Sequence, residues 1–118
     1  MGTEVCRVMQ RSLVGVGPFT PAPEAERVAV SQGVEHLLVL DCDDLVGVAS
    51  VSDLHRAGSR ATVSECMAVP LRTVSASASV EEAAEIMRES ELGCLPVVAG
   101  GLILGLVTRE QLAATARH

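Results

Sequence analysis

A hydroxyl and a carboxylate, Ser50 and Asp53, lie three residues apart at the end of the apolar run that contains Gly47. We expect this run to be a strand followed by a helix, which places Asp53 in the first helical turn. A carboxylate there can accept hydrogen bonds from both ribose hydroxyls, and a helix N-terminus attracts phosphate. Ser50 can add a hydroxyl, and Gly47 lets a ligand approach the backbone. The spacing is compatible with half of a nucleotide site, and it is also compatible with a fold without a ligand that uses Ser50 and Asp53 as ordinary strand-end and cap residues.

The same segment contains the residue types of a serine hydrolase. Ser50 or Ser52 could be combined with Asp53 and His55. All of them lie within six residues, and no Gly-x-Ser-x-Gly turn surrounds the serines. The spacing makes a working triad improbable, and the chain is predicted not to be an enzyme.

Two further groups suggest metal binding and do not satisfy its spacing. The acidic segment 41–44 could begin a calcium loop, but its sixth position is Val46 instead of glycine and no glutamate follows at the twelfth. A solvated hairpin turn is the better interpretation. His36 and Cys94 are isolated residues on apolar stretches, where packing is the usual role. We therefore predict no metal site.

The composition excludes several classes of protein. The chain has 118 residues, 48% of them hydrophobic, and a formal net charge of −6, which disfavours a general nucleic-acid binder. All nine basic residues are arginine, which excludes Schiff-base and P-loop lysines. Phe19 is the single aromatic residue, so no aromatic cage or base-stacking platform can form. We expect a globular domain with an aliphatic core.

The cysteines and the longest uncharged stretch bear on location. Four cysteines at positions 6, 42, 66 and 94 form no C-x-x-C pair, and no secretory segment precedes them. We expect buried, reduced thiols and a cytoplasmic protein. The stretch from Leu92 to Val107 is too short for a membrane span and is interrupted by Pro96 and Gly100-Gly101, so no membrane partner is predicted.

An internal repeat with an offset of 58 residues organises the chain. Identical residues coincide without a gap, and they include the pairs Val5/Val63, Met9/Met67, Leu13/Leu71, Gly47/Gly105 and Leu54/Leu112. The pattern of buried positions repeats as well. We interpret the chain as two copies, residues 1–60 and 61–118, that share one core and are related by a pseudo-two-fold axis.

Each copy is predicted to be a β-α-β-β-α unit of the α/β class, with its sheet packed against helices. In the second copy Ser79 and Glu82 have capping-box spacing, and the glycine pair 100–101 indicates a β-hairpin. The predicted strands are 14–16, 36–40 and 45–50 in the first copy, and 72–75, 94–98 and 102–107 in the second. The predicted helices are 23–32 and one from 52 or 53, then 79–90 and one capped by Thr108.

These units resemble the cystathionine β-synthase (CBS) domain, and the tandem pair resembles a Bateman module. In the second copy the resemblance depends on Met67, Pro70, Thr73-Val74, Leu95-Pro96-Val97-Val98 and Gly105-Leu106-Val107-Thr108. The first copy retains Gly47 to Leu54 but has Gly15-Val16 and Leu38 at positions where the second has Thr73-Val74 and Pro96.

The resemblance implies that the chain senses an adenosine-containing ligand without performing chemistry on it. AMP, ADP, ATP, S-adenosylmethionine and NAD are ligands of that family. The resemblance also implies that the other copy completes the cleft, so Asp53 and Ser50 are expected to face Thr73 and Val74, with Val97 beneath the adenine. This is the predicted primary site.

A weaker second site is implied by the symmetry. It combines Thr108, Gln111, Gly15, Val16 and Val39. Gln111 replaces the acidic residue and lacks the charge that strengthens hydrogen bonds to a ribose. Arg109 could neutralise a phosphate there, and His36 could do the same at mildly acidic pH.

The sequence therefore predicts a non-catalytic regulatory module that binds an adenine nucleotide and acts on a regulated protein partner. By resemblance to CBS pairs, a homodimer is the expected assembly. The alternative is a structural dimerisation or docking module with no nucleotide ligand.

Overall fold

A computed structural model describes residues 2–90 and 92–116 of the chain. They form two compact units. The central unit is Leu13–Leu71, and the terminal unit combines the residues up to Ser12 with those from Arg72 onward. Each unit therefore takes most of its residues from one sequence copy and a short opening segment from the other.

The central unit contains a three-stranded sheet in the order β1-β2-β3. β1 runs parallel to β2, and β2 pairs with β3 as an antiparallel hairpin. Its elements are β1 (Gly15–Val16), α1 (Ala22–Gln32), β2 (His36–Asp41), β3 (Asp44–Ser50), α2 (Val51–Ala57) and α3 (Val63–Cys66).

The terminal unit repeats this arrangement with the sheet order β4-β5-β6. β4 is parallel to β5, and β5 is antiparallel to β6. Its elements are a 3₁₀ helix (Val5–Arg7), β4 (Val74–Ser75), α4 (Val80–Ser90), β5 (Cys94–Ala99), β6 (Leu102–Thr108) and α5 (Arg109–Ala116). The predicted α/β class, with two β-α-β-β-α repeats, is confirmed.

Each unit has an aliphatic core of its own. In the central unit the fully buried side chains include Leu37, Val39 and Val63. In the terminal unit they include Leu95 and Val97. Small alanines on α1 let that helix pack closely, because Ala22, Ala25 and Ala29 are fully buried.

The helix boundaries follow the capping residues. α1 ends at Gln32 because Gly33 adopts the left-handed conformation with φ 70°, as expected of a C-terminal glycine. The backbone N–H of Glu82 donates to Ser79 Oγ at 3.1 Å, as its capping spacing predicts. None of the helices in residues 2–90 and 92–116 has both the length and the apolar character needed to cross a bilayer.

The hairpin turns are tighter than the sequence suggested. Asp41 and Asp44 form the last strand pair of the first hairpin, so its turn is Cys42-Asp43 alone, with φ of 49° and 73°. Ala99 likewise belongs to β5, and the second turn is Gly100-Gly101. Two-residue turns with positive φ match the twist of antiparallel strands, which explains the shorter loops.

The cysteines are free, and only part of the predicted burial is correct. Cys94 is buried, and Cys6 and Cys66 are half-buried. Cys42 is exposed, because the turn places it outside the sheet. The prediction of a buried thiol is therefore wrong for Cys42.

The opening segment of each sequence copy pairs with the last strand of one sheet. In the terminal unit the backbones of Gln10 and Leu106 exchange both hydrogen bonds, at 2.6 and 2.9 Å. In the central unit the N–H of Ala68 donates to the carbonyl of Val48 at 2.8 Å. These contacts cover a strand edge that would otherwise expose unpaired backbone groups.

Two equivalent glycines allow this close approach, and alanine is expected to affect them unequally. A Cβ at Gly105 would lie 2.5 Å from the backbone oxygen of Gln10. A Cβ at Gly47 would meet only the side chain of Met67, at 2.8 Å from Sδ. Gly105→Ala is therefore expected to lower the free energy of unfolding by about 1–3 kcal/mol, as overpacking does. Gly47→Ala should cost less, because a methionine side chain can move. Urea unfolding measures both, and a larger loss for Gly47→Ala would contradict this explanation.

Candidate functional site

Asp53 is fixed at the start of α2 by a cap from β3. Ser50 is the last residue of β3 and has extended φ and ψ of −94° and 152°. Its Oγ accepts a hydrogen bond from the backbone N–H of Asp53 at 3.1 Å. The helix begins at Val51, one or two residues earlier than predicted, and Asp53 lies in its first turn as expected.

The Asp53 carboxylate already has a partner within its own helix. An Arg56 Nη donates to Asp53 Oδ1 in an ion pair across one helical turn. The Asp53 side chain is 41% exposed and that of Arg56 is 74% exposed, so the pair lies at the surface. The sequence analysis missed this contact, and the Asp-x-x-Arg spacing was the available signal.

An open groove of about 600 Å³ lies beside this ion pair in the central unit. Its lining combines the start of α2 with the segment that follows it: Asp53, Arg56, Ala57, Ala61, Glu65, Cys66, Met67, Ala68 and Val69. Ser50 is not among the lining residues, and its hydroxyl is used in the cap. Asp53 is therefore the residue of the predicted primary site that lines this groove.

Two acidic side chains of the groove, Asp53 and Glu65, affect the titration of Cys66. Burial, followed by the carboxylates of Asp53 and Glu65, raises the pKa of the Cys66 thiol. Its Sγ lies 3.5 Å from the carbonyl oxygens of both Thr62 and Val63, and its single S–H can donate to either of them. Cys66 is therefore a protonated thiol at neutral pH, chiefly because it is partly buried and to a smaller extent because the two carboxylates lie near it.

The backbone of Gly47 is not accessible to a ligand in the groove. The space that a side chain would occupy there is filled by Met67, whose Sδ would lie 2.8 Å from a Cβ. The expected close approach at this glycine is made by a methionine of the same unit.

The residues predicted to complete the primary site belong to the terminal unit. Thr73 is exposed and lies immediately before β4. Val74 pairs with Val97 across the parallel strands, and both side chains are buried in the core. Of these three residues, Thr73 is the one with an accessible side chain. The contribution of Thr73, Val74 and Val97 to a nucleotide site stays a prediction.

Thr108 and Gln111 form a reciprocal cap at the start of α5. The N–H of Gln111 donates to Thr108 Oγ1 at 3.2 Å, and the N–H of Thr108 donates to Gln111 Oε1 at 2.9 Å. Arg109 is also engaged, since its Nη2 donates to the carbonyl of Leu92 at 2.9 Å. The two bonds of the cap occupy Thr108 Oγ1 and Gln111 Oε1 as acceptors and leave the Thr108 hydroxyl hydrogen and the Gln111 NH2 group as the donors that a ligand could use.

The other residues of the predicted second site lie in the sheet of the central unit. Gly15 and Val16 form β1, and Val16 pairs with Val39, which is fully buried. His36 is the cross-strand partner of Ser50 and so lies at the end of the sheet from which α2 begins. No group of three or more His, Cys, Asp or Glu side chains in the described part of the chain is placed to hold a metal ion.

The match to a family model follows the repeat. The CBS domain model matches residues 5–60 and again residues 63–117. The chain belongs to the CBS domain family. The compact units are offset from these two CBS matches, because each opening segment packs in the unit formed mainly by the other copy.

Curated relatives of this CBS pair are much longer proteins. The inosine-5'-monophosphate dehydrogenase of Thermoplasma acidophilum is 26% identical over 106 residues, which are 89% of this chain and 22% of that protein. That of Nitrosopumilus maritimus is 33% identical over 86 residues, or 71% and 18%. The CBS pair spans about a fifth of the length of these relatives.

A solved structure containing AMP is also similar to this CBS pair. CBSX2 of Arabidopsis thaliana, in complex with AMP, is 30% identical with a TM-score of 0.74, and the alignment covers 98% of this chain and 97% of that chain.

Proposed function

We propose that this CBS pair is a non-catalytic regulatory module that binds an adenosine-containing nucleotide, with AMP, ADP or ATP the first candidates. The observation that carries the proposal is Asp53, a carboxylate fixed in the first turn of α2 at the edge of an open groove. A ribose diol can donate two hydrogen bonds to the two oxygens of one carboxylate, and bonds to a charged acceptor are strong.

The size and accessibility of the groove support this proposal. Its volume of about 600 Å³ lies within the range of small-molecule sites. The Asp53 to Arg56 pair is exposed and spans one helical turn, so breaking it costs only about 0.3–0.5 kcal/mol. The carboxylate is therefore accessible to a ribose.

The relatives support the proposal and suggest how occupancy is used. CBSX2 contains AMP and is similar to this protein over nearly its whole length. The inosine-5'-monophosphate dehydrogenases carry a matching segment within a much longer enzyme. We propose that nucleotide occupancy is passed to a protein partner, which is the regulated component.

Asp53→Asn tests the site, because it removes the charge while preserving the size of the side chain. Isothermal titration with AMP, ADP, ATP, S-adenosylmethionine and NAD, with GMP for comparison, is expected to identify an adenosine ligand of the unaltered protein. Asp53→Asn should weaken that ligand by tenfold or more, because a hydrogen bond to a charged group contributes about 1.5–3 kcal/mol.

Asp44→Asn is the matched control, since it changes the net charge equally at an exposed hairpin position. It should leave the affinity unchanged. Equal affinities of Asp53→Asn and the unaltered protein would exclude Asp53 as a ligand residue. Absence of binding by any adenosine compound at millimolar concentration would favour the structural dimerisation or docking module.

We also propose that the module assembles as a homodimer. Large apolar side chains are exposed at Phe19 and Val30, at 78% and 67%. A second copy of the chain could cover such surface and gain from its burial. Light scattering at high concentration checks this, and a monomer would overturn it.

A further inference from the structure

The groove beside Asp53 contains one positive and two negative side chains. Arg56 supplies the only guanidinium among the described lining residues, and Asp53 and Glu65 supply the carboxylates. The formal charge of the lining is therefore −1 at neutral pH. A strongly anionic ligand is disfavoured here unless Arg56 faces it, because like charges in a partly enclosed groove repel.

Arg56 pairs with Asp53 in the structure, and the phosphate of a bound nucleotide is a possible alternative partner. In the structure its guanidinium holds Asp53 Oδ1. A ribose that uses both carboxylate oxygens competes with it for Oδ1, and the 74% exposed arginine side chain is free to reorient when it is displaced. A guanidinium displaced in this way lies beside the ligand, and a guanidinium matches the geometry of phosphate oxygens.

We propose that Arg56 makes this groove selective for a nucleoside monophosphate, by exchanging Asp53 for the phosphate when the ribose binds, and that Glu65 discriminates against longer phosphate chains. This inference rests on the proposed nucleotide function and adds its ligand selectivity. Adenosine has no anion to accept the released guanidinium, and S-adenosylmethionine would bring a sulfonium cation close to it.

The charge balance explains why one phosphate is preferred to three. The single guanidinium can pair with one phosphate group, whereas further phosphates add negative charge to a groove that also contains Glu65 and has no other cation among its described lining residues. The negative charges of Asp53 and Glu65 also affect the neighbouring Cys66 thiol, because both carboxylates contribute to its raised pKa.

Arg56→Gln is the decisive variant, with titrations of AMP and adenosine. The unaltered protein should bind AMP at least tenfold more tightly than adenosine. Arg56→Gln should lower the affinity for AMP by about tenfold or more. It should leave adenosine unchanged or tighter, because Asp53 loses its competitor. Arg60→Gln is the matched control, since Arg60 is exposed, lies outside the groove lining and carries the same charge.

Glu65→Gln tests the second half of the proposal and should raise the affinity for ATP relative to AMP. If Arg56→Gln weakens AMP and adenosine equally, or changes neither, the selectivity mechanism is overturned while nucleotide binding stands. An unchanged ATP to AMP ratio in Glu65→Gln overturns the role of Glu65. If the unaltered protein binds no adenosine compound, the proposed function fails, and this inference fails with it.

Discussion

Replacing Leu95 by alanine is expected to lower the free energy of unfolding by about 2–5 kcal/mol, because truncating a fully buried leucine removes apolar contacts and leaves a cavity. Leu95 is fully buried on β5 within the core of the terminal unit, in the same cluster as Val5, Met9 and Val107. The loss is a large fraction of the stability of an ordinary small domain.

Urea unfolding followed by circular dichroism measures this loss. Leu102→Ala is the control within the same unit, since Leu102 is 67% exposed at the start of β6. It should change the stability by no more than about 0.5 kcal/mol. Similar losses for the two variants would contradict the assignment of Leu95 to the core.

Alkaline pH is expected to destabilise the protein through Cys94. Burial, with a smaller contribution from the Glu110 carboxylate, raises the pKa of this thiol to about 12 from its ordinary 9.0. Below pH 9 the folded and unfolded chains both hold the proton, and the full stabilisation is present. Above pH 9 only the unfolded chain releases it, so the free energy of unfolding should fall by about 2 kcal/mol between pH 9 and pH 11.

The composition makes this titration easy to observe. The chain has no tyrosine and no lysine, so few side chains other than cysteines lose protons in that range. Cys94→Ala should remove most of the decline, and the remainder belongs to Cys66, whose pKa is also raised. Cys42→Ser, an exposed turn position, should preserve it. A profile as steep in Cys94→Ala as in the unaltered protein would refute the assignment.

The elements of the fold could be predicted because the repeat and the punctuating residues agree. Gly33 ends α1 and Ser79 caps α4, as their types indicate, and Gly100-Gly101 turns the second hairpin. These signals are local and act within a few residues. A periodic pattern of buried positions then reveals the same order of elements twice.

The contacts of the site residues were less predictable. Asp53 and Arg56 lie one helical turn apart, a spacing that permits an ion pair without requiring it. Thr108-x-x-Gln111 has the spacing of a capping box, and the structure has that box, whereas the resemblance directed attention to Gln111 as a weakened ribose ligand. Competing uses of one side chain depend on geometry that the order of residues does not contain.

The assignment of opening segments to sheets was also beyond the sequence. Met9 and Met67 are equivalent, as are Gly47 and Gly105, and the repeat shows only that each copy contains one of each. Met9 packs at Gly105 and Met67 packs at Gly47, so each methionine covers the glycine of the other copy. Identical patterns in two copies cannot distinguish this exchange from packing within one copy.

This exchange of opening segments determines how the gene can be divided. A cut between residues 60 and 61 would separate each sheet from the opening segment that pairs with its last strand. Each of the two fragments would then contain an opening segment without its sheet and a sheet with an unpaired edge strand. A fragment spanning residues 13–71 keeps its sheet, its core and its cover together. The 58-residue copy that repeats in the sequence is therefore not the segment that folds as a compact unit. A single copy could complete its sheet by exchanging its opening segment with that of a second chain.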